Sequence, residues 1–481
     1  MKQTCILINP PILREERYNS KYLGVAGASL VPLGILYIAS YLEKNGYNIE
    51  FLDAEQQLFS IEDTLKYVKN IIDKNEICYI GLTSTSVAFN NTVALAEKIK
   101  QNFPNIKIFL GGIHVTALPE HAMSYECFDY GIIGEGEVTV YELLETIKGN
   151  GDINSVNGIV YKKNGDLIFT NKRELIEDIS NLPFPARHLL KDIEKYIPGV
   201  SDYKTLPVTN IMTSRGCPGQ CTFCSNAVFG RTYRYRSSEN IFKEIKEVIE
   251  KYKMREIHFI DDTFLANKKR IYDLFDLCNQ NNLKFIWSCY SRIDNVTYDY
   301  LKFLKENGCW RISFGIESGD MRVLKDIKKH ITLDSAEQVI SWCKELGIKT
   351  TGLFMLGHPT DTTESINNTI NFALKIPFSD AACCISTPLP GCEQFKKMFS
   401  SENNYRELDF SRFNTMYSIV TPKGMTNHDI LLKQKEFYRK FYLRPHIIFS
   451  YIISLFSFAF FRKFTTLLLN AIYLILPTKK Q

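Results

Sequence analysis

The sequence lacks several features that would define its class at once. It has little excess charge, +5 over 481 residues, and basic and acidic residues are mixed, so charge alone does not indicate nucleic-acid binding. The start, Met1-Lys-Gln-Thr, leads straight into an apolar, strand-like run rather than a signal peptide. The 13 cysteines therefore indicate thiols in a reducing cytoplasm rather than a disulfide scaffold.

A regular second pair of metal ligands is also absent. Three cysteines lie close together, Cys217, Cys221 and Cys224, in C-x3-C-x2-C spacing after an apolar run, 206–212, that predicts a strand. Structural zinc needs a fourth ligand, usually from a second Cys or His pair, and the later cysteines are too dispersed to supply one. Iron–sulfur clusters also take thiolate ligands, and a cubane held by three cysteines leaves one iron open to a small chelating ligand.

This cysteine pattern, with Phe223 directly before its last cysteine, resembles the motif of the radical S-adenosylmethionine (SAM) family. The resemblance implies that Cys217, Cys221 and Cys224 hold a 4Fe–4S cluster. It also implies that the open iron binds the amino and carboxylate groups of SAM. One electron, from a donor such as flavodoxin or ferredoxin, would then cleave SAM to a 5′-deoxyadenosyl radical. A zinc-filled or unrelated group of thiols is the alternative.

The first 150 residues alternate short apolar runs with stretches of helical period. Such alternation predicts a Rossmann-like α/β fold with a parallel, doubly wound sheet. Ligands of these sheets bind at the carboxyl ends of the strands, and here those ends are small, polar and rich in glycine. The sequence therefore predicts a domain over residues 1–150 that binds a large flat ligand.

Three stretches of this domain resemble the cobalamin-binding domain that precedes many radical SAM barrels: Pro32-Leu-Gly34-Ile-Leu-Tyr-Ile-Ala, Gly111-Gly-Ile-His114 and Gly134-Glu-Gly-Glu137. The resemblance implies that the chain binds cobalamin at the strand ends. A vestigial or substrate-binding domain is the alternative, and Glu135 has a second interpretation as a carboxylate at a helix N-terminus. The residues that the resemblance assigns to cobalamin are Asp53, Thr83, Ser84, Gly111, Gly112, His114, Gly134, Glu135 and Gly136.

One departure from the cobalamin-binding pattern concerns the cobalt ligand. The best-known domains of this kind carry D-x-H-x-x-G, in which the histidine ligates cobalt from below. The corresponding run here begins at Asp53, with Glu55 in the histidine position and Leu58 in the glycine position. This motif therefore supplies no lower histidine, a pattern common among the radical SAM members, and the lower axial ligand of cobalt stays open.

Residues 151–205 predict a hairpin followed by a linker. Asn164-Gly165 lies between two strand-like runs, which is a strong short-range signal of a β-hairpin, and a proline-stiffened segment follows. From 206 to 395 the strand–helix alternation resumes in six units. These units predict a partial (β/α)6 barrel with its chemistry at the C-terminal ends of the strands.

The barrel strand ends carry the residues that the radical SAM resemblance assigns to SAM. Asp261 and Asp262 match the segment that binds the SAM amino group, and a helix N-cap is their alternative. Arg292 would neutralise the SAM carboxylate, the substrate or cobalamin, or would lie on the surface. No catalytic residue beyond the cofactor positions is identified. The remaining SAM positions are Glu317, Ser318, Gly352 and Gly357.

Arg231, Arg234 and Arg236 alternate with tyrosines just after the cysteine motif. Basic residues interleaved with aromatic ones are one pattern of RNA binding. A helix-capping serine follows directly at Ser238. We therefore expect these arginines to pack near the cluster loop, with RNA binding as the weaker alternative.

Residues 396–481 predict a helical region that ends in two uncharged apolar runs, 446–461 and 464–476, separated by Arg462-Lys463. Each run is shorter than the roughly 20 residues that span a bilayer. Residues 446–477 therefore predict a contact with a membrane surface, which would make the protein cytoplasmic and peripheral on the inner face of the membrane. Packing of both segments on the barrel, or against a second copy of the chain, is the alternative.

These patterns together predict a cobalamin-dependent radical SAM enzyme that methylates an unactivated centre of a small or lipid-like substrate. The first alternative uses the same cofactors for a non-methylating ring rearrangement or oxidative cyclisation. An alternative of another class is a non-catalytic metal- or cofactor-binding interaction module. Nucleic acid is not an expected partner, and no residue set outside the cofactor motifs identifies the substrate.

Overall fold

Two parallel sheets, formed by successive parts of the chain, organise the computed structural model, which describes residues 4–12, 16, 29–75, 77–199, 201–399 and 402–449. Within these residues the first sheet has seven strands, the second has six, and a two-stranded ribbon accompanies the second sheet.

The first sheet forms from short apolar runs that alternate with helices. Its five parallel strands are β1 (Thr4–Asn9), β2 (Asn48–Asp53), β3 (Ile77–Thr83), β4 (Lys107–Gly111) and β5 (Tyr130–Ile132). The helices are α1 (Leu33–Lys44), α2 (Ile61–Ile72), α3 (Phe89–Asn102), α4 (Ile113–Ala117), α5 (Pro119–Ala122) and α6 (Gly136–Lys148). The strand order β2-β1-β3-β4-β5 is that of a doubly wound fold, so the predicted α/β class is confirmed.

Local sequence signals set the ends of these elements. Ser60 and Asp63 form a reciprocal capping box at the start of α2, which satisfies two backbone N–H groups that a helix otherwise leaves unpaired. Gly46, just after α1, has a φ of +93°, a left-handed conformation that favours glycine and ends a helix. Separate apolar clusters cover the two faces of the sheet, as a parallel sheet requires.

The predicted hairpin consists of β6 (Ile159–Lys163) and β7 (Asp166–Phe169). Its turn is Asn164-Gly165, with φ values of +55° and +90°, so the turn prediction is confirmed. Strand β6 pairs antiparallel with β5. The hairpin therefore extends the first sheet beyond residue 150.

The second sheet is an open barrel of parallel strands with helices outside it. The ribbon β9 (Ser214–Arg215) and β10 (Arg234–Tyr235) follows its first strand, β8 (Val208–Ile211). The other barrel strands are β11 (Glu256–Phe259), β12 (Ile286–Ser291), β13 (Cys309–Glu317), β14 (Lys349–Leu356) and β15 (Asp380–Ile385). The helices are α7 (Ser238–Glu250), α8 (Lys268–Gln280), α9 (Tyr298–Glu306), α10 (Met321–Asp326), α11 (Leu333–Glu345) and α12 (Thr363–Lys375).

The barrel strands run in the order β15-β14-β13-β12-β11-β8, which leaves β8 and β15 at opposite edges and confirms the partial (β/α)6 barrel. Alternate strand residues such as Phe259 and Trp287 lie in the apolar core between the sheet and the helices. Because successive strand side chains point to opposite faces, the residues beside them, including His258 and Ser288, point into the barrel. The inner surface of the barrel is therefore polar near the C-terminal ends of these strands.

The C-terminal part of the described chain covers the β15 edge. After α13 (Glu393–Met398) the chain reaches α14 (Asn427–Tyr442). The Gln434 side chain donates to the carbonyl of Cys383 at 2.8 Å, and the Tyr438 hydroxyl accepts from the Cys383 N–H at 2.9 Å. Helix α14 thus satisfies backbone groups that an uncovered edge strand would expose.

The predicted apolar tail falls mostly outside the described residues, which end at residue 449. Among the helices that are described, none combines the length and apolarity needed to cross a bilayer. The predicted contact of residues 446–477 with a membrane surface stays a prediction.

Candidate functional site

The loop that carries the three cysteines is closed at its base by the β9–β10 ribbon, in which Arg215 pairs with Arg234. Gly216, the first residue of the loop, has a φ of +82°. A Cβ at this position would overlap the carbonyl oxygen of Thr232 on the returning strand. Only glycine meets both conditions, so the tight entry into the loop depends on Gly216.

The three cysteines differ in exposure: Cys217 is half-buried, Cys221 is buried and Cys224 is exposed, and all three are free thiols. Burial, together with the charges of Asp262 and the other two thiols, raises the pKa of Cys224 to about 12. No three His, Cys, Asp or Glu side chains in the described part of the chain converge on one metal position. The donor set, three free thiols on one loop, fits a cluster with three protein ligands.

Asp262 lies close to the cysteine loop. Its side chain is exposed, as that of Cys224 is, and its negative charge raises the pKa of Cys224. The two side chains therefore lie near each other.

Charged residues from β12 and β13 reach the same loop. A Cβ on Gly219 would lie 3.3 Å from the Cys217 sulfur and 3.5 Å from an Arg292 guanidinium nitrogen, so Arg292 lies against the cysteine loop. Glu317 is buried, accepts from Lys329 at 2.8 Å, and has a φ of +69°. A non-glycine residue held in this left-handed conformation is typical of functional sites.

Asp261 has a supporting position. Its buried carboxylate accepts from the Thr213 N–H at 2.9 Å and the Thr213 hydroxyl at 2.8 Å, and also from Ser214. It therefore fixes the chain just before the cysteine loop. Of the two aspartates predicted to contact SAM, only Asp262 is exposed beside the cysteine loop.

Three other predicted SAM positions pack inside the protein. The Ser318 hydroxyl lies 3.1 Å from that of Thr369. A Cβ on Gly352 would lie 2.7 Å from the Phe354 ring. The Gly357 N–H donates to Asp361 at 2.9 Å. Their side-chain positions are thus occupied by protein neighbours, a fact that strand-end spacing alone does not reveal.

His358 is a candidate that sequence reasoning missed. It is fully buried, its Nδ1 lies 3.2 Å from the Ser386 hydroxyl, and its Nε2 has no partner among the described residues. Its ring centroid is 5.9 Å from that of Phe223, inside the cysteine motif. Burial lowers the pKa of His358 to about 4, so the imidazole is neutral. The available signal was a histidine two residues after the end of β14, at one of the barrel strand ends.

In the first sheet, a cavity of about 210 Å³ opens at the carboxyl ends of β1 and β3. This is the point where the strand order reverses, which is the usual ligand position in such sheets. The start of α1 also lines the cavity, through Gly34 among others. Its polar lining comes from Asn9, Glu55, Thr83 and Thr85. At this volume the cavity has room for only part of a large flat ligand.

The segment that departs from the D-x-H-x-x-G pattern has a left-handed residue at its last position. Leu58, in the glycine position, has a φ of +55° and is 61% exposed. The chain thus keeps the left-handed turn that glycine would make, at a cost of about 1–2 kcal/mol. Glu55 lines the cavity, so a carboxylate lies where the histidine would.

Several predicted cobalamin residues line the strand ends. Gly112 has a φ of +102°, and a Cβ there would lie 2.6 Å from the carbonyl oxygen of Ser84. Gly134 has a φ of +84°, and a Cβ there would meet no heavy atom of the described residues within 4 Å. Thr83 and Gly111 are adjacent partners on β3 and β4. These positions offer backbone and small polar groups to a ligand.

Five other residues assigned to cobalamin are committed within the protein. Ser84 is buried, and its hydroxyl bonds to that of Thr92 at 3.0 Å and to the Thr85 carbonyl at 2.9 Å. Asp53 accepts from Asn9 at 2.8 Å and from Tyr196 at 2.9 Å. His114 is buried, with one ring nitrogen 3.1 Å from Ser86 and the other 3.0 Å from His121, which disfavours a direct contact of the imidazole with a ligand. Glu135 is buried in ion pairs, and Gly136 packs against Ile38.

The arginines near the cysteine motif are structural, as predicted. Arg215 binds Glu135 at 2.7 Å and Glu137 at 2.5 Å. Arg234 binds Glu135 at 2.9 Å. Arg236 pairs with buried Glu244. The guanidinium groups of Arg234 and Arg236 are thus buried and paired, whereas Arg231 is exposed and donates to the Gly219 carbonyl in the cysteine loop.

The chain matches two family models: the radical SAM superfamily over residues 211–373 and the B12 binding domain over residues 19–144. The cysteine loop lies in the first match, and most of the cavity lining, from Pro32 to Ala88, lies in the second. The B12 binding match precedes the radical SAM match along the chain, as the first sheet precedes the second.

Individual proteins extend this likeness over nearly the whole chain. An uncharacterized methyltransferase of Pyrococcus horikoshii is 31% identical over 432 residues, 89% of this chain and 92% of the relative. The anaerobic magnesium-protoporphyrin IX monomethyl ester cyclase of Rubrivivax gelatinosus is 26% identical over 434 residues, 89% of this chain and 76% of the relative.

Among solved structures, the radical SAM methyltransferase TsrM from Kitasatospora setae, with cobalamin and a [4Fe-4S] cluster bound, has a TM-score of 0.68 and 14% identity over 93% of this chain and 90% of its own. That likeness concerns the fold. The family is shown by the two matched family models and the 31% identical relative. This chain belongs to the cobalamin-dependent radical SAM enzymes, which use a 4Fe–4S cluster, SAM and cobalamin.

Proposed function

We propose that this enzyme methylates an unactivated centre of a small or lipid-like molecule bound between the two sheets. The observation that supports this most is the buried contact between the base of the cysteine loop and the edge of the first sheet, through Arg215, Glu135 and Glu137. A methyl transfer that follows radical formation needs the two cofactor sites to face each other across one substrate.

The cofactors, when bound, supply a radical that abstracts hydrogen and a transferable methyl group. We assign Cys217, Cys221 and Cys224 to the cluster. Asp262 is exposed near Cys224, where its carboxylate would bind the ammonium group of SAM. Arg292 pairs with Asp294 through Nε and Nη2 at 2.8 Å. Its Nη1 lies against the cysteine loop, where it would bind the SAM carboxylate.

Glu317 and Lys329 form the buried part of the SAM site in this proposal. Their 2.8 Å ion pair is neutral as a unit, and both charges affect the Cys221 thiol. A bound SAM carries a sulfonium, and a carboxylate held nearby by a lysine would stabilise it. Asp261, Ser318, Gly352 and Gly357 act through packing and support the site from behind.

On the first sheet, we assign direct cobalamin contacts to Thr83, Gly111, Gly112 and Gly134, with buried Ser84 supporting them from behind. The small residues permit close approach of a large flat ring. Asp53, His114, Glu135 and Gly136 would fix the strand ends from behind, because their polar atoms or packing contacts lie within the protein.

The remaining assignments rest on the sequence. We divide the chain into residues 1–150, 151–205, 206–395 and 396–481. We also propose a flavodoxin or ferredoxin as the electron donor and a contact of residues 446–477 with a membrane surface. Flotation with anionic liposomes tests the last: the full chain should float, and a chain ending at residue 445 should not. Equal flotation of both would reject the membrane contact.

A second candidate function is oxidative cyclisation with the same cofactors. The comparisons do not favour it over methylation; its basis is the 26% identity with the Rubrivivax gelatinosus cyclase over most of both chains. The mass of the product separates the two: methylation adds the mass of a methylene group, whereas oxidative cyclisation removes hydrogen.

The test of the proposal is anaerobic reconstitution with iron, sulfide and hydroxocobalamin. We expect about four irons per chain, corrinoid absorbance that survives desalting, and SAM-dependent release of 5′-deoxyadenosine. The variant with Cys217, Cys221 and Cys224 changed to alanine should lose the iron and the cleavage but keep the corrinoid. Cys127→Ala, a buried thiol in the first sheet's core, is the matched control. Zinc in place of iron, with no cleavage, would overturn the proposal.

A further inference from the structure

Two arginines lie directly opposite each other where the cysteine loop begins and ends. Arg215 on β9 is the cross-strand partner of Arg234 on β10. Like charges in this relation repel each other. Both guanidinium groups bind the same carboxylate, that of Glu135, at 2.7 Å and 2.9 Å. The base of the loop is therefore held closed by a residue of the other sheet.

The whole cluster is buried. Arg215, Arg234, Glu135 and Glu137 are only 3%, 7%, 5% and 3% exposed. The two positive and two negative charges balance, since Glu137 also binds Arg215 at 2.5 Å. A buried charge needs its partner, so the ribbon and the start of α6 move as one unit.

Aromatic and backbone contacts extend this unit. The Arg215 guanidinium lies over the Tyr37 ring of α1, 5.2 Å from its centroid, and over the Phe229 ring of the cysteine loop at 5.1 Å. The second oxygen of Glu135 accepts from the Ile176 N–H at 2.9 Å. Elements from the first sheet, the linker and the cysteine loop thus meet at Glu135 and Arg215.

The position of this unit along the chain connects the two cofactor sites. Glu135 directly follows Gly134, which is open on its outer side at the edge of the first sheet. Arg215 precedes Cys217 by two residues. One ion pair therefore separates a backbone position at the cobalamin edge from the start of the cysteine loop.

We propose that the Glu135–Arg215–Arg234 cluster couples the two cofactor sites, so that a corrinoid resting on Gly134 changes the affinity of the cysteine loop for SAM. Arg215 and Glu135 are positioning residues: they touch neither the reacting atoms nor the cofactors. The inference rests on the proposed placement of cobalamin at Gly134. Coupling of this kind is reciprocal, so SAM changes the affinity for the corrinoid by the same factor.

The experiment measures the dissociation constant of SAM for the iron-loaded chain, with and without saturating hydroxocobalamin. Equilibrium dialysis of radiolabelled SAM, with the cluster kept oxidised so that SAM is not cleaved, provides the signal. For the unmodified chain we expect the two constants to differ by about five-fold or more, the lower end of measured couplings. In Glu135→Gln and in Arg215→Lys the ratio should approach one while iron and corrinoid still bind.

Glu142→Gln is the matched control. Glu142 lies on α6 as well, is 41% exposed on its side chain and pairs with Arg173, so its loss should leave the ratio unchanged. The Asn210 side chain holds Val31 by two hydrogen bonds of 2.9 Å and 3.0 Å, which keep the sheets docked in the variants.

The outcomes separate this inference from the proposed function. A ratio of one in the unmodified chain, with corrinoid bound and SAM cleaved, overturns the coupling alone. The same holds if Glu135→Gln keeps the five-fold ratio. If Glu135→Gln does not load iron, Glu137→Gln, which leaves Glu135 in place, decides: an unchanged ratio rejects the coupling and a reduced ratio supports it. Loss of corrinoid binding or of SAM cleavage in the unmodified chain rejects the proposed function instead.

Discussion

The exchange Glu244→Gln should remove the charge that holds the linker and the cysteine-loop ribbon against helix α7. Glu244 is fully buried, and its two partners, Arg187 and Arg236, are 2% and 3% exposed. Arg187 of the linker lies 2.6 Å from one carboxylate oxygen, and Arg236, next to β10, contacts the other. The variant leaves two buried guanidinium groups without a counter-charge.

Breaking a buried ion pair on one side costs about 3–5 kcal/mol. The glutamine amide oxygen still accepts one hydrogen bond, so we expect the free energy of unfolding to fall by about 3 kcal/mol. Urea unfolding measures this without adding ions that screen charges. All three tryptophans lie in the barrel part of the sequence, so their fluorescence reports on the part that contains Glu244.

The pH dependence gives an independent check. Burial alone would raise the pKa of Glu244, but Arg236 and Arg187 outweigh it and lower the pKa. A carboxylate with a lower pKa in the folded state adds stability above its unfolded pKa and loses it as the pH falls through the folded value. The difference between the unmodified chain and Glu244→Gln should therefore be full at neutral pH and shrink below about pH 4.

Glu247→Gln on the same helix is the control. Glu247 pairs with Lys251 at 3.0 Å, with side chains 31% and 58% exposed, and such surface pairs contribute less than about 1 kcal/mol. Equal effects of the two substitutions, or a loss below about 1 kcal/mol for Glu244→Gln, would refute the reasoning from burial.

Three further substitutions test the site. Gly216→Ala should prevent most iron loading on anaerobic reconstitution, because its φ is +82° and a methyl group would overlap the Thr232 carbonyl; Gly165→Ala in the hairpin turn should load iron normally. Gly112→Ala should weaken hydroxocobalamin binding by about ten-fold or more, a cost of about 1.4 kcal/mol, since its Cβ would lie 2.6 Å from the Ser84 oxygen; an unchanged spectrophotometric titration would place cobalamin elsewhere. His358→Gln should make the loss of stability between about pH 6.5 and pH 4 shallower, because burial lowers the pKa of His358 to about 4; His188→Gln, at an exposed position, should not, and identical pH profiles for the two would contradict the assignment.

The elements that local sequence signals define were predictable. The Asn164-Gly165 turn needs positive φ values that these residues adopt easily, and the strand–helix alternation follows from short-range periodicity. The cysteine spacing also lies within one loop. Each of these features depends on residues close together in the chain, and each appears in the structure near its predicted position.

Contacts between distant residues were not predictable in the same way. Glu135 occupies a glycine-rich strand end that resembles a cofactor contact, yet its carboxylate pairs with Arg215 and Arg234, 80 and 99 residues away. His114 likewise pairs with Ser86 and His121. Sequence spacing places a residue at a strand end, but the direction of its side chain depends on packing between elements that the pattern does not describe.

Helix α14 has a consequence for how the chain is made. The barrel edge at β15 is covered by Gln434 and Tyr438, which leave the ribosome after every barrel strand. Domains fold as they emerge, from the N-terminus onward. The outer edge of β15 in a nascent barrel would therefore be uncovered until α14 has been synthesised. An open edge strand invites pairing with other chains. The β15 edge must therefore be protected from other chains while the protein is being synthesised.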